Sequence, residues 1–151
     1  MKPITFACVE TLSLAPEAIA EQILNLEKWP EFLGYGPLPG IKSAAFELRT
    51  PEVVGSRIRV TNMDGSQHVE QIVKWQPESL LRLHMHEFRP PLSHLAIEFF
   101  ETWSFQRVVE ETQVSRSFEL WPRTNFTRPA LWMISLLLRR AIARHLSEIR
   151  H

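Results

Sequence analysis

Phe6, Cys8, Leu12 and Leu14 alternate with Thr5, Thr11 and Ser13, the period of two that marks a strand with one buried face over residues 4–14. Glu10 falls on the apolar side of that strand. The period then lengthens. Pro16 opens a helix where its missing N–H costs nothing, and Ile19, Ile23 and Leu26 form the inner stripe. Pro30 disfavours helical geometry at Trp29, which predicts a break there and one further turn carrying Phe32 and Leu33. GYGPLPG, residues 34–40, has to be a loop. Residues 41–121 repeat strand, turn, strand, with turn signals at 51–55, Asp64-Gly65, 77–79, 89–93 and 109–111. A long helix follows over 127–149, with Thr127 placed to cap it and Pro129 in its first turn. Leu131, Ile134, Leu138, Ile142, His145 and Ile149 make its inner face. A long helix on a curved antiparallel sheet of about seven strands, with two short helices after the first strand, is an α+β layout.

Composition narrows the function. At 151 residues the chain is one domain, 1–151. Lys plus Arg equals Asp plus Glu at 17 each, so no global charge points to nucleic acid as a partner. Cys8 is the one cysteine, which excludes an internal disulfide and fits a reducing, cytoplasmic location. The start MKPITFACVE lacks the basic and apolar regions of a secretion signal. The apolar run ALWMISLLL, residues 130–138, is far shorter than the roughly 20 residues that span a bilayer. No Gly-rich phosphate loop, internal repeat or low-complexity segment is present, and no cofactor is expected.

The order of elements resembles the START-like, or Bet v 1-like, helix-grip superfamily over nearly the whole chain. APEAIAEQILNLEKWPEFLGYG is similar to the segment after the first strand in its polyketide cyclase/dehydrase-like branch, and EFFETWSFQRV with TQVSRSFEL to its last hairpin. The resemblance implies the fold. It carries over no catalytic residues, because that superfamily holds lipid and hormone binders, cyclases, coenzyme Q binders and co-chaperones.

LRLHMHEF, residues 81–88, offers His84 and His86 in an HxH pair, a spacing that can present two imidazoles to a metal. Hairpin register argues against it. With Asp64-Gly65 as the turn, Val60 pairs with Val69 and Arg59 with Glu70, giving one apolar face and one charged face. Carried across the loop at Pro77, that register turns Val73, Trp75, Leu81, Leu83 and Met85 inward and Arg82, His84 and His86 outward. A cupin-like site would also need a Glu after three or four further residues, where Pro90 and Pro91 stand. No metal site is expected.

In the last hairpin Thr102, Ser104 and Gln106 pair with Ser115, Ser117 and their neighbours as the outer face. Ile97, Phe99, Glu101, Trp103, Phe105, Val114, Arg116, Phe118 and Leu120 are left inside. Two charges thus lie on an apolar face, with His145 as the polar member of the helix stripe above. In the helix-grip fold the first strand lies beside the last, so the resemblance implies that Glu10, Arg116 and Glu101 sit on three neighbouring strands under the helix. Buried charges need partners or water. These form either a network that staples the sheet or a group that orients a ligand among Trp75, Met85, Phe99, Trp103, Phe118, Ile134 and Leu138.

Three functions follow: binding of an apolar, cyclic or lipid-like small molecule with Arg116 and Glu101 orienting its polar group; a polyketide cyclase or aromatase using Glu101, Glu10 or His145 for proton transfer; or an interaction protein. The last draws on Trp132, Met133, Leu136 and Leu137, on the arc that Arg139, Arg140 and Arg144 continue. That arc should face solvent and suits a homodimer or membrane-surface contact.

Overall fold

A computed structural model of the chain describes residues 1–149; residues 150 and 151 of the expected domain lie outside the described residues. Strand β1 (Ile4–Leu12) leads into helix α1 (Pro16–Leu24), a short 3-10 turn (Leu26–Glu31) and β2 (Ile41–Leu48). Then come β3 (Arg57–Asn62), β4 (Gln67–Gln76), β5 (Leu80–His86), β6 (Ala96–Val108), β7 (Glu111–Pro122) and the long helix α2 (Arg128–Glu148). The strands form one antiparallel sheet in the order β1-β7-β6-β5-β4-β3-β2, which puts the first strand beside the last as the helix-grip arrangement requires.

The helical break falls at Asn25, before the predicted Trp29. Asn25 leaves helical geometry, and its side-chain oxygen accepts from the Glu27 N–H at 3.3 Å to start the 3-10 turn. Pro30 is tolerated inside that turn, and the Trp29 indole ties it back to α1 by donating to Ile23 O at 2.9 Å. Leu26 therefore packs on the core from outside the helix.

The β3–β4 hairpin differs from the expected register by one residue, with large consequences. Thr61 pairs with Gln67 and Arg59 with Val69, while Ile58 faces Glu70. The reason is the loop. Gly65 has φ of 87° and donates to Asn62 O, so the connection is a three-residue loop ending in a left-handed glycine, not a two-residue turn on Asp64-Gly65. A slip of one residue exchanges the faces of a strand. Glu70 consequently points into the core side, and Arg59 pairs instead with Glu47 at 2.6 Å on β2. Val69 is buried on the opposite face between Arg59 and His86. A bulge after Ile72 then restores the expected phase at Trp75 and leaves Val73 outside. A second bulge after Ala96 turns Ile97 outward, to 48% exposure, against the expected inner position.

Thr127 stands at the start of α2, but its hydroxyl donates to Leu95 O at 3.1 Å and caps no helix N–H. Leu131, Ser135, Ala141, Ile142 and Leu146 are the buried residues of α2, and the helix packs on β1 and β7. Ile134, Leu138, His145 and Ile149 are only half-buried because the helix stands away from the middle of the sheet along that side. Among the described residues no helix is long and apolar enough to cross a membrane.

Candidate functional site

The space between α2 and the middle of the sheet is a cavity of about 400 Å3. Its wall follows from the inner rows of the sheet. One row runs Ile72, Leu83, Glu101, Phe118, Phe6 across β4, β5, β6, β7 and β1, and the next Glu70, Met85, Phe99, Leu120, Ile4. The middle of the first, Leu83, Glu101 and Phe118, and the start of the second, Glu70, Met85 and Phe99, line the cavity. Helix α1 and the 3-10 turn supply Ile19, Ile23, Trp29 and Phe32, and α2 supplies Ile134, Leu137, Leu138, Ile142 and His145. A mostly apolar hollow with a few convergent polar groups is the usual form of a small-molecule site.

The innermost polar group is built on Arg116. Nε and Nη2 both donate to Glu101 Oε2 at 2.5 Å, and Nη1 lies 3.0 Å from His145 Nδ1. The guanidinium carbon sits 4.1 Å from the centre of the Trp103 ring, a cation-π contact in a desolvated setting. Glu101 is 2% exposed and Arg116 6%. Burial pushes the Glu101 carboxyl above its ordinary range, while the charge and hydrogen bond of Arg116 pull it back. Burial first, then the Arg116 charge, lowers His145 to about 3, so its imidazole is neutral at physiological pH. A guanidinium only donates, so Nδ1 must be the acceptor and the ring proton sits on Nε2. The Trp103 Nε1–H is buried beside Glu101 and donates to no acceptor among the described residues.

The structure brings Met85, Phe99, Glu101, Trp103, Arg116, Phe118, Ile134, Leu138 and His145 to the cavity wall. It does not bring Glu10 or Trp75 there. Cys8 is the residue opposite Arg116; Glu10 is opposite Val114, one row further along, half-buried and with no ion pair among the described residues. Trp75 packs against the core in the row of Leu81 and Trp103, beyond the cavity wall. Leu137, expected on the exposed arc, is half-buried and lines the cavity, whereas Trp132, Met133 and Leu136 are exposed.

Among the polar residues of the wall that were not expected, Glu70 and His68 are neighbours on the inner face of β4. Glu70 is buried, and its Oε2 lies 3.0 Å from His68 Nε2. Reading Met63, Asp64 and Gly65 as a three-residue loop between paired Asn62 and Ser66 would have placed both inside.

Arg82, His84 and His86 face outward. His84 Nε2 lies 2.8 Å from Glu98, and its ring stacks on Phe100 at 4.5 Å; His86 Nδ1 lies 3.2 Å from Glu87. Burial, then the neighbouring His84, lowers the His86 pKa. Among the described residues no three His, Cys, Asp or Glu side chains are grouped to hold a metal.

No protein-family model matches the chain, and no curated protein matches it by sequence. Solved structures match its fold. Ara h 8.0201 aligns with a TM-score of 0.62 over 96% of this chain and 99% of its own, at 15% identity. Ginseng major latex-like protein 151 from Panax ginseng aligns at 0.65 over 96% and 98%, also at 15% identity. A START superfamily protein from Mycobacterium smegmatis aligns at 0.64 over 96% and 98%, at 10% identity. At such identities the likeness is one of fold: the chain has the helix-grip fold of Bet v 1-like and START proteins.

Proposed function

We propose that the chain binds an apolar, cyclic or lipid-like small molecule between the sheet and α2, with Arg116 and Glu101 orienting its polar group. The observation that carries this reading is the cavity of about 400 Å3, apolar on most of its wall and closed at its inner end by a buried Arg116, Glu101 and His145 group. That volume lies within the usual range for small-molecule pockets. It also counts against an interaction protein with a filled interior, although Trp132, Met133 and Leu136 leave a surface for a second chain or a lipid.

A fluorescent apolar probe, 1-anilinonaphthalene-8-sulfonate, tests the reading together with Leu138→Trp. Leu138 is half-buried on the cavity wall, so the larger ring fills space without displacing the packed face of α2. Probe affinity should fall at least about tenfold while Tm moves by no more than roughly 4 °C, since the variant removes the site and not the core. Unchanged probe affinity would place binding elsewhere. Native mass spectrometry of the purified protein, followed by extraction, identifies any molecule it retains.

The cyclase or aromatase reading draws on one observation of its own. Burial raises the Glu101 pKa, and a carboxyl shifted in that direction suits a general acid acting on a chain folded in the cavity. Turnover of a linear poly-ketone that Glu101→Gln abolishes, with probe binding retained, would favour the enzyme; binding without turnover would favour the carrier.

A further inference from the structure

A second buried carboxylate faces the same cavity without touching the Arg116 group. Glu70 is 5% exposed, between Ile58 and Met85 in the inner row of the sheet. One of its oxygens, Oε2, meets His68 Nε2 at 3.0 Å; Oε1 receives no hydrogen bond among the described residues. The His68 ring is oriented from behind. Asn62 Nδ2 lies 3.5 Å from His68 Nδ1 and donates to Ser66 Oγ at 3.2 Å, and Ser66 Oγ donates to Asp64 Oδ1 at 2.6 Å. An amide nitrogen only donates, so Nδ1 is the acceptor and Nε2–H is committed to Glu70.

The charges around this carboxylate set what it can meet. His68 engages one oxygen of Glu70 and leaves the other open toward the cavity. Arg116 is neutralised where it stands by Glu101. Lys28, Arg89, Glu31 and Asp64 also line the cavity, and neither cation forms an ion pair with Glu70 among the described residues. An ionised ligand carboxylate placed here would meet like charge in a low dielectric, whereas a hydroxyl would supply the missing donor.

We propose that Glu70, held by His68, is a specificity-determining acceptor for a ligand hydroxyl, so that the cavity takes apolar alcohols and phenols in preference to the corresponding carboxylates. This rests on the cavity-binding reading and adds a second polar anchor to it. The preference is set by the open oxygen of Glu70, to which a hydroxyl can donate and a ligand carboxylate cannot.

Three aromatic probes of similar size separate the terms: 2-naphthol, a neutral phenol at pH 7.5; 2-naphthoate, an anion at that pH; and 2-methylnaphthalene, which has no polar group. Titrations would follow the fluorescence of Trp29 and Trp103, which line the cavity. The unaltered protein should bind 2-naphthol at least about tenfold more tightly than 2-naphthoate, as one charge-assisted hydrogen bond gained or lost requires. Glu70→Gln removes the charge and should shrink that ratio to roughly threefold or less, with naphthoate gaining and naphthol losing. His68→Gln keeps the carboxylate and should keep the preference. Equal affinities in the unaltered protein, or a preference that survives Glu70→Gln, would overturn the assignment while methylnaphthalene binding left the cavity reading standing. Failure of all three probes to bind would overturn both. Equal affinities in the unaltered protein overturn the assignment even if a variant does not fold.

Discussion

Replacing Arg116 with Met should destabilise the fold by about 3 kcal/mol, a fall in Tm of roughly 6–12 °C for a chain of this size. Met keeps much of the stem that packs beneath Trp103, so the loss comes mainly from the charge it removes. Glu101 would lose both of its bonds from the guanidinium and stay buried, with its carboxyl pushed further up by the surrounding desolvation. His145 would lose the donor on Nδ1. Adding Glu101→Gln removes the stranded carboxylate and should restore at least about 1 kcal/mol, the sign of a coupled pair. Urea denaturation of the two single variants and the double variant measures this. Equal stability of Arg116→Met and the parent with loss of probe binding would make the group wet and devoted to the ligand; equal stability with binding intact would place Arg116 at the surface.

The second large effect is a stability loss in mild acid that depends on His145. Its folded pKa of about 3 lies below the ordinary 6.5, because burial and Arg116 both disfavour the imidazolium. An unfolded chain therefore takes up a proton below pH 6.5 that the folded chain refuses until about pH 3. The stability contributed by a neutral His145 is complete above pH 6.5 and falls as the pH drops through that window. Glu101 works in the opposite sense, since its raised folded pKa favours the folded chain as acid is added. The difference between parent and variant isolates the histidine. In His145→Asn the amide oxygen can accept from Arg116 and nothing titrates. Between pH 7.5 and 4.5 the parent should lose about 2 kcal/mol relative to that variant. Parallel urea midpoints across the range would mean that His145 is open to water in the folded state.

The two halves of the inner group differ in how far the sequence reveals them. Glu101, Trp103, Arg116 and Phe118 were legible because β6 and β7 are long strands joined by a short connection, so Thr102 opposite Ser117 and Ser104 opposite Ser115 follow from simple alternation. The outward direction of His84 and His86, read by carrying the β3–β4 register into β5, holds although that register is one residue off, because the bulge after Ile72 restores the phase at Trp75 and Leu81. Glu70 and His68 were not, because a glycine at φ of 87° adds one residue to the β3–β4 loop and exchanges the faces of β4, and the bulge after Ile72 hides the change further along. Alternation also gives a side but not a row. Glu10 lies on the inner side of β1 as read, yet the register places it opposite Val114 and leaves Cys8 opposite Arg116. The standoff of α2, which makes Leu137 part of the cavity, depends on how Leu131, Ile142 and Leu146 seat on β1 and β7, and no periodicity within the helix states that distance.

The central claim, a ligand site between the sheet and α2, is tested most directly by methyl-resolved NMR of the protein with 2-naphthol. The methyl groups of Met85, Ile134, Leu138 and Ile142, all on the cavity wall, should shift and show transfer to the naphthol protons, while Met63, Ile97 and Val108, exposed and outside the wall, stay fixed. Shifts confined to Met133 and Leu136 on the outer face of α2, or no shifts at saturating naphthol, would contradict it.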